Sequence, residues 1–269
     1  MNKKYRNIIT KIPSIHKLAR LIMYNNGKIF FRKLYKKNQY DELFRKLHNS
    51  CAGKRCFIVG NGPSLRVSDL ELLKYEDCFG ANEIHRIFSK TSWRPKYYII
   101  VDRYTKTTPV EIAEVDSQIV FLSDYYWRFN RVLREDAICL KQRYFFEDSF
   151  PLFSDDISKY IYVGETVTYA ALQIAVYLGY TEIYLIGVDH NYCKMLDQKG
   201  KLVSDGVKRN HFFIDEEPED IIANVYGMEK AYLAASEFCK KKGVEIYNAS
   251  RGGKLEVFKR VELEKVLNI

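Results

Sequence analysis

The residues best placed to do chemistry in this chain sit where its apolar runs end. Cys56-Phe57-Ile58-Val59 runs straight into Gly60-Asn61-Gly62-Pro63-Ser64. Four more runs stop on a polar side chain: Cys78 to Ala81 on Asn82, Lys96 to Val101 on Asp102, Glu182 to Val188 on Asp189, and Val244 to Tyr247 on Asn248. Taken singly, an Asn or Asp at such a place is a turn former or a helix cap. As strands of one open parallel sheet, however, the runs would bring all these residues to a single edge, where such sheets bind their ligands. The first of the five carries the most. Its glycines tolerate φ > 0 and let backbone N–H groups approach a ligand, and the helix start behind it favours negative charge. Gly60, Asn61, Gly62, Pro63 and Ser64 are therefore expected to cradle the phosphate or sugar edge of a nucleotide. The turn matches neither the G-x-G-x-x-G nor the Walker A pattern, so neither NAD nor P-loop chemistry is implied.

The elements that must position these residues alternate strand and helix. Strands are expected at 55–59, 78–81, 96–101, 118–122, 182–188 and 244–247. Helices are expected at about 66–75, 83–90, 166–178 and 218–242, with a short one at the C-terminus. Val167, Ala170, Ala171, Ile174, Ala175 and Leu178 form one apolar stripe, closed by Gly179 as the usual C-terminal glycine. Residues 124–160 are aromatic and charged with weak periodicity and read as an insertion. Residues 190–217 read as loop. This is the pattern of a Rossmann-like α/β fold, a mostly parallel sheet with helices on both faces.

Composition supports one sizeable domain: 269 residues, 47% of them hydrophobic. Six scattered cysteines without a C-x-x-C pair argue against metal and disulfide frameworks and for a reducing cytoplasm. No run approaches the ~20 apolar residues of a transmembrane helix. The net charge of +9 is unevenly placed: residues 1–50 hold 13 Lys/Arg against Asp41 and Glu42, so the other 219 residues sum to −2. The chain thus divides into a basic helical arm, 1–50, and a catalytic domain, 51–269. Ile8, Ile12, Ile15, Leu18, Leu21 and Ile22 recur at spacings suited to amphipathic helices. Such an arm suits the anionic inner face of the plasma membrane, each basic residue near the surface contributing roughly 1 kcal/mol. The alternatives are packing on the core and, less suited, nucleic acid, which is not expected as a partner.

Two stretches resemble a known family. One is Phe57 to Leu65 followed by Gly80-Ala81-Asn82. The other runs from Gly164-Glu165-Thr166-Val167-Thr168-Tyr169 through Leu178-Gly179-Tyr180 to the strand ending in Gly187-Val188-Asp189. Together they are similar to the MptE-like family, whose archaeal members are 6-hydroxymethylpterin diphosphokinases and whose bacterial relatives occur in capsule and lipopolysaccharide gene clusters. The same signatures resemble the bacterial sialyltransferases with a single Rossmann-like domain. That resemblance implies roles. Asn61, Gly62 and Ser64 would touch the nucleotide sugar near its phosphate, and Asn82 its sugar or leaving phosphate. Thr166 and Thr168 would line the donor site at a helix start. Asp189 would orient the ribose or the loop below it, and His211 would match the family's catalytic base. The family's phosphate-binding tyrosine falls two positions after the strand-end Asp, where this chain has Asn191, with Tyr192 one later. The family's Ser after its Thr is Val167 here. The loop Asn248-Ala249-Ser250-Arg251-Gly252-Gly253 suits the capsule-locus relatives better.

Transfer from a nucleotide sugar needs a phosphate site, a base for the acceptor hydroxyl and stabilisation of the departing charge. Histidine is the side chain that changes charge near neutral pH, and His211 sits in Lys208-Arg209-Asn210-His211-Phe212-Phe213 among aromatics that could exclude water. His190 is the rival. Tyr192, Arg209 or Arg251 could serve the leaving group. No Asp-x-Asp occurs, so no metal is expected, and the nucleotide sugar is substrate rather than cofactor. The expectation is a metal-independent inverting glycosyltransferase of surface-polysaccharide synthesis, taking a sugar, sialic-acid-like ones included, to a glycan or lipid-linked glycan. The alternative is an ATP- and Mg²⁺-dependent diphosphokinase holding its metal at Asp102 and Asp189.

Overall fold

The computed structural model describes residues 37–102, 105–130, 132, 134–143, 151–204, 206, 209–213 and 222–269. Most of the basic arm, with its amphipathic pattern from Ile8 to Leu34, lies outside them, as do residues 144–150 of the stretch read as an insertion.

Eight parallel strands make the main sheet. In chain order they are β1 (Arg55–Val59), β2 (Cys78–Ala81), β3 (Tyr97–Ile100), β4 (Ile119–Ser123), β5 (Ile138–Leu140), β8 (Glu182–Ile186), β12 (Glu245–Asn248) and β13 (Lys259–Arg260). Their spatial order is β13-β12-β8-β1-β2-β3-β4-β5. The chain runs outward from β1 to β5, then crosses back to lay β8 on the other side of β1. The sheet therefore has its switch point between β1 and β8, where an open α/β sheet leaves a crevice at the strand carboxyl ends. Strand β1 pairs with both neighbours, Phe57 opposite Cys78 on one side and Tyr184 on the other. Such a central strand is buried on both faces, which is why it reads as an unbroken apolar run. Alternation then divides it: Cys56 and Ile58 join one core, Phe57 and Val59 the other.

Helices cover both faces. On one lie α1 (Lys37–Leu47), α5 (Val167–Leu178) and α6 (Val225–Lys242). On the other lie α2 (Val67–Leu72), a 3-10 helix (Asn82–Lys90), α3 (Pro109–Glu114), α4 (Asp124–Phe129) and α7 (Leu263–Val266). Helix α5 was expected to show one apolar stripe, yet it is buried almost all round, from Thr168 to Ala175 and at Tyr177 and Leu178. The reason is its place between the sheet, α1 and α6. Its ends follow the sequence signals: Thr166 caps the start and Gly179 closes it at φ 90°.

Three stretches differ from expectation. Strand β5, inside the stretch read as an insertion, is the sheet's edge, and α4 connects β4 to it; a three-residue strand among aromatics is too short to show a period. Residues 190–217 contain β9 (Lys194–Leu196) and β10 (Leu202–Val203), which form a small sheet with β11 (Ile222–Ala223). The helix expected from Pro218 begins at Val225, capped by Asn224, because 222–223 is strand; 218–221 lie outside the described residues. Two further strands, β6 (Gln142–Arg143) and β7 (Ile161–Tyr162), form a separate pair.

The described end of the arm belongs to the core. Tyr40, Phe44 and Leu47 of α1 are buried, and the Tyr177 hydroxyl donates to the Phe44 carbonyl at 2.7 Å. Burying side chains of this size contributes on the order of 2 kcal/mol each. No described helix is long and apolar enough to cross a membrane.

Candidate functional site

A cavity of about 460 Å³ opens at the switch point. It is lined by the carboxyl ends of β1, β2, β3 and β8, by the start of α5, by one face of α6 and by the loop around His211.

The turn after β1 is built by close approach to β8. A Cβ on Gly62 would come within 2.7 Å of both the Gly187 carbonyl oxygen and Asp189 Cγ, and one on Gly60 would overlap the Gly187 carbonyl. The glycines are needed for this packing. They do not take up positive φ. Three of the turn's backbone donors are engaged within the protein. Gly60 N–H bonds Ile186 O at 2.8 Å, Gly62 N–H bonds Gly187 O at 2.8 Å, and Ser64 N–H bonds Asp189 Oδ2 at 2.8 Å. The Ser64 hydroxyl donates to the other Asp189 oxygen. The expected cradle of backbone donors at Gly60, Gly62 and Ser64 is thus corrected: these groups bind β8 and the Asp189 carboxylate. Pro63 and Ser64 are not among the cavity's lining residues. Asp189 orients this turn, and it is braced from below, where Lys254 N–H reaches its carbonyl at 2.7 Å.

What the tips present to the cavity is unpartnered polar atoms. Asn61 Nδ2 donates to Ala81 O at 3.0 Å, which turns Oδ1 the other way, buried and without a partner. Asn82 Oδ1, His190 Nδ1 and Asn191 Oδ1 are also buried and unpartnered. All four residues line the cavity. Buried polar groups are nearly always satisfied, so a cluster of exceptions in one cavity marks a candidate ligand site. The side-chain oxygens accept, so their complement is a ligand's hydroxyl or amino group rather than a phosphate oxygen. Strain gathers at the same place. Asn82 (φ 49°), Glu165 (φ 60°) and His190 (φ 52°) are left-handed without being glycine, and all three line the cavity.

Of the predicted residues, the structure brings together Gly60, Asn61, Gly62, Asn82, Asp102, Thr166, Thr168, Asp189, Tyr192 and His211 on this one cavity. It leaves Asn248 out. That side chain is fully buried, donating to Leu255 O at 2.8 Å and accepting from Ser250 N–H, as a turn former. Arg251 is also elsewhere, in an ion pair with buried Asp69 at 2.7 Å and with Glu264 at 2.5 Å. Arg209 is exposed and not on the cavity wall. Thr166 caps α5, accepting from Thr168 N–H at 3.3 Å. Burial raises the pKa of Tyr232 from α6, opposed by hydrogen bonds with Thr166 and Thr168. Burial likewise pushes the Tyr192 phenol up.

Both histidines reach the cavity. The loop bearing His211 docks on the first turn, Phe212 N–H bonding Asn61 O at 2.8 Å. The His211 ring stacks on Phe213 at 4.8 Å with 3° between planes, and the Arg86 guanidinium lies 4.8 Å from the Phe213 ring centre. Burial lowers the His190 pKa to about 4, so its imidazole is neutral near pH 7. Among the described residues no group of three or more His, Cys, Asp or Glu could hold a metal ion. Sequence reasoning missed Glu165, Tyr125, Gln142 and Tyr232 on the cavity wall. Glu165 stands inside the quoted Gly164–Tyr169 stretch, but nothing in its type announces a left-handed backbone.

Comparisons with known proteins place the family and the fold. The 6-hydroxymethylpterin diphosphokinase MptE-like family matches residues 29–195. Among solved structures, the MAf glycosyltransferase from Magnetospirillum magneticum AMB-1 superimposes with a TM-score of 0.51 at 18% identity, over 81% of this chain and 35% of that one. This chain therefore spans about a third of that protein's length. The sialyltransferase CstII from Campylobacter jejuni, solved with a substrate analogue, CMP-3FNeuAc, gives 0.43 at 15% identity, over 77% of this chain and 86% of that one. The α-2,3-sialyltransferase Cst-I from Campylobacter jejuni gives 0.35 at 17%, over 77% and 79%. No curated protein matches. The family match runs through β1, the switch point and β8, which build one side of the cavity, and the chain belongs to the MptE-like family.

Proposed function

We propose that this cavity binds a nucleotide sugar and that the chain is a glycosyltransferase of bacterial surface-polysaccharide synthesis. The observation that carries the reading is the set of buried, unpartnered acceptors at Asn61, Asn82 and Asn191 in a cavity that His211 also lines. A nucleotide sugar is rich in the hydroxyl and amino donors those oxygens lack. The fold is one that a glycosyltransferase uses, which admits the reading without choosing it.

In this mechanism His211 takes the proton of an acceptor hydroxyl as its oxygen attacks the anomeric carbon. The bond from that carbon to the nucleotide phosphate breaks on the opposite face, inverting the centre. The nucleotide leaves with the bonding pair. The start of α5, behind the Thr166 cap, is the helix terminus on the cavity suited to the departing charge. Asn61 and Asn82 hold the nucleotide's hydroxyl and amino groups. The acceptor is a glycan or a lipid-linked glycan. Residues 1–36, with ten Lys/Arg and no acid, hold the enzyme on the inner face of the plasma membrane.

The family match favours a second reading, pyrophosphoryl transfer from ATP. It would need Mg²⁺ on Asp102 and Asp189, and both oxygens of Asp189 already accept from Ser64. A thermal-shift panel of CMP-, UDP- and GDP-sugars against ATP decides between them, with turnover measured in excess EDTA. Stabilisation by a nucleotide sugar and EDTA-resistant turnover are expected. Stabilisation by ATP alone, with Mg²⁺-reversible loss of activity, would overturn the transferase reading.

A further inference from the structure

Asn82 is the strained residue whose side-chain oxygen waits in the cavity, and something must hold it there. Its carbonyl is gripped from behind. The Tyr98 hydroxyl from β3 donates to it, and His85 Nδ1, one helical turn on, lies 3.3 Å from it and 3.2 Å from the Tyr98 oxygen. The other ring nitrogen, Nε2, lies 3.2 Å from Glu111 Oε1 on α3. Glu111 is itself fixed as the partner of the Thr108 cap, accepting from Thr108 N–H at 2.6 Å and from its hydroxyl at 2.8 Å.

We propose that His85 is a positioning residue for the ligand: as an imidazolium it clamps the Asn82 carbonyl to α3 and so aims the Asn82 side chain into the cavity. The argument is one of donors and acceptors. The Tyr98 hydroxyl gives its only proton to Asn82 O, so Nδ1 faces two acceptor oxygens, and Nε2 faces a carboxylate. A doubly protonated ring keeps the Tyr98 proton and its own Nδ1 proton on the oxygens around Asn82 while Nε2–H bonds Glu111, whereas a ring protonated on Nε2 alone would draw the Tyr98 proton to Nδ1 and away from the Asn82 carbonyl. Four titratable side chains lie around the ring and its Tyr98 partner. Burial works against the Glu111 carboxylate, but the bonds from Thr108 and His85 bring its pKa below its ordinary value. Tyr98 is buried, and its phenol is pushed far up by that burial. Tyr126 from α4 is raised by burial to about 12 and is neutral. Glu83, on the same 3-10 helix as His85, accepts from the Thr105 hydroxyl at 3.1 Å and from Lys106 N–H at 2.9 Å. Losing the Nδ1 proton would leave the Asn82 carbonyl one donor short and free the left-handed residue to relax.

The inference rests on the cavity being a nucleotide site, and its test keeps the two apart. In the full-length chain, ¹⁵N-resolved imidazole spectra report the protonation of His85 while calorimetry measures binding of CMP, UDP and GDP, from about pH 5.5 to about pH 8.5. Affinity is expected to fall as pH rises, with the midpoint at which the His85 ring loses its second proton. His85→Leu should bind about tenfold more weakly, one lost bond to a charged donor, and without that pH dependence. His85→Asn can place an amide N–H where Nδ1–H stood and should recover most of the affinity, again without the pH dependence. Glu111→Gln, a good capping residue without charge, should move the midpoint to lower pH. A singly protonated ring throughout the range, or a His85→Leu protein that keeps wild-type affinity and pH dependence, overturns the proposal while leaving the nucleotide reading intact. So does His85→Asn losing affinity and thermal stability as fully as His85→Leu, since the ring would then be only a packing group. A wild-type chain that binds no nucleotide overturns the reading of the cavity and this inference with it.

Discussion

The two ends of the central sheet are built on opposite principles. At the amino ends of the strands, buried and half-buried polar groups are joined in a continuous chain. Cys51 Sγ lies 3.4 Å from the Tyr97 hydroxyl, which lies 3.1 Å from the Tyr180 hydroxyl; Tyr180 donates to Asp77 at 2.5 Å, and Lys96 pairs with Asp77 at 2.8 Å. Arg55 closes the same end on Glu76 at 2.6 Å. At the carboxyl ends, four residues on one cavity leave buried polar atoms without partners, and three non-glycine residues on its wall are left-handed. The first end pairs nearly all its polar side chains, the buried Trp93 Nε1 being an exception, which is what a folded chain needs. The second holds unsatisfied groups and left-handed backbone on one cavity wall, the pattern of a candidate ligand site. Where a protein departs from local consistency, function is the usual reason.

The sharpest break between the ends should come from His211→Ala. As a general base it acts only while the bond forms, so kcat should fall about 10²–10⁴-fold with thermal stability and nucleotide affinity nearly unchanged. His190→Ala serves as the control. Retained activity would mean that the wrong histidine, or the wrong mechanism, had been assigned.

Next in size is Gly62→Val. Its Cβ would sit 2.7 Å from the Gly187 carbonyl oxygen and would displace the Asp189 carboxylate. Overpacking of this kind costs up to about 3 kcal/mol, so a clear drop in the denaturation midpoint is expected. A stable variant that fails only to bind nucleotide would show instead that the glycine serves the ligand.

His190 ties the cavity to acid stability. Its folded pKa is about 4 against an ordinary 6.5, so the unfolded chain binds the proton first as pH falls. The contribution is whole above pH 6.5, erodes between 6.5 and 4, and is constant below, amounting to at most about 3 kcal/mol. Chemical denaturation at pH 7 and at pH 4 should show wild type losing more stability than His190→Asn, a variant that tolerates the left-handed backbone. Equal losses would place the acid sensitivity elsewhere.

The smallest effect belongs to the satisfied end. Tyr180→Phe removes one link between Tyr97 and Asp77 and should cost about 1–2 kcal/mol of stability. Nucleotide affinity should not change, because the link is at the far end of the strands. A parallel loss of affinity would mean that the two ends are coupled.

The sequence by itself determined the elements and the edge. Short unbroken apolar runs bounded by turn residues fit buried parallel strands, and a polar residue after each marks its carboxyl end, so Asn61, Asn82, Asp102 and Asp189 were legible as neighbours. Thr166 and Gly179 bounded α5 by local capping chemistry. Tertiary structure decided what each group is free to do. The Gly60–Ser64 turn reads as a cradle of donors until β8 is laid beside it; the register with Gly187 and Asp189 then engages the N–H groups of Gly60, Gly62 and Ser64, while the Asn61 side-chain oxygen faces the cavity. Asn248 has the same local pattern as Asn82, yet the outer position of β12 and the loop to Leu255 bury it away from the cavity. Arg251 is drawn to Asp69, far from it in sequence. The edge strand β5 was hidden because three residues are too few to show a period. The backbones of Glu165 and His190 were hidden because left-handed strain in a non-glycine residue is imposed by neighbours remote in sequence, which no local pattern encodes.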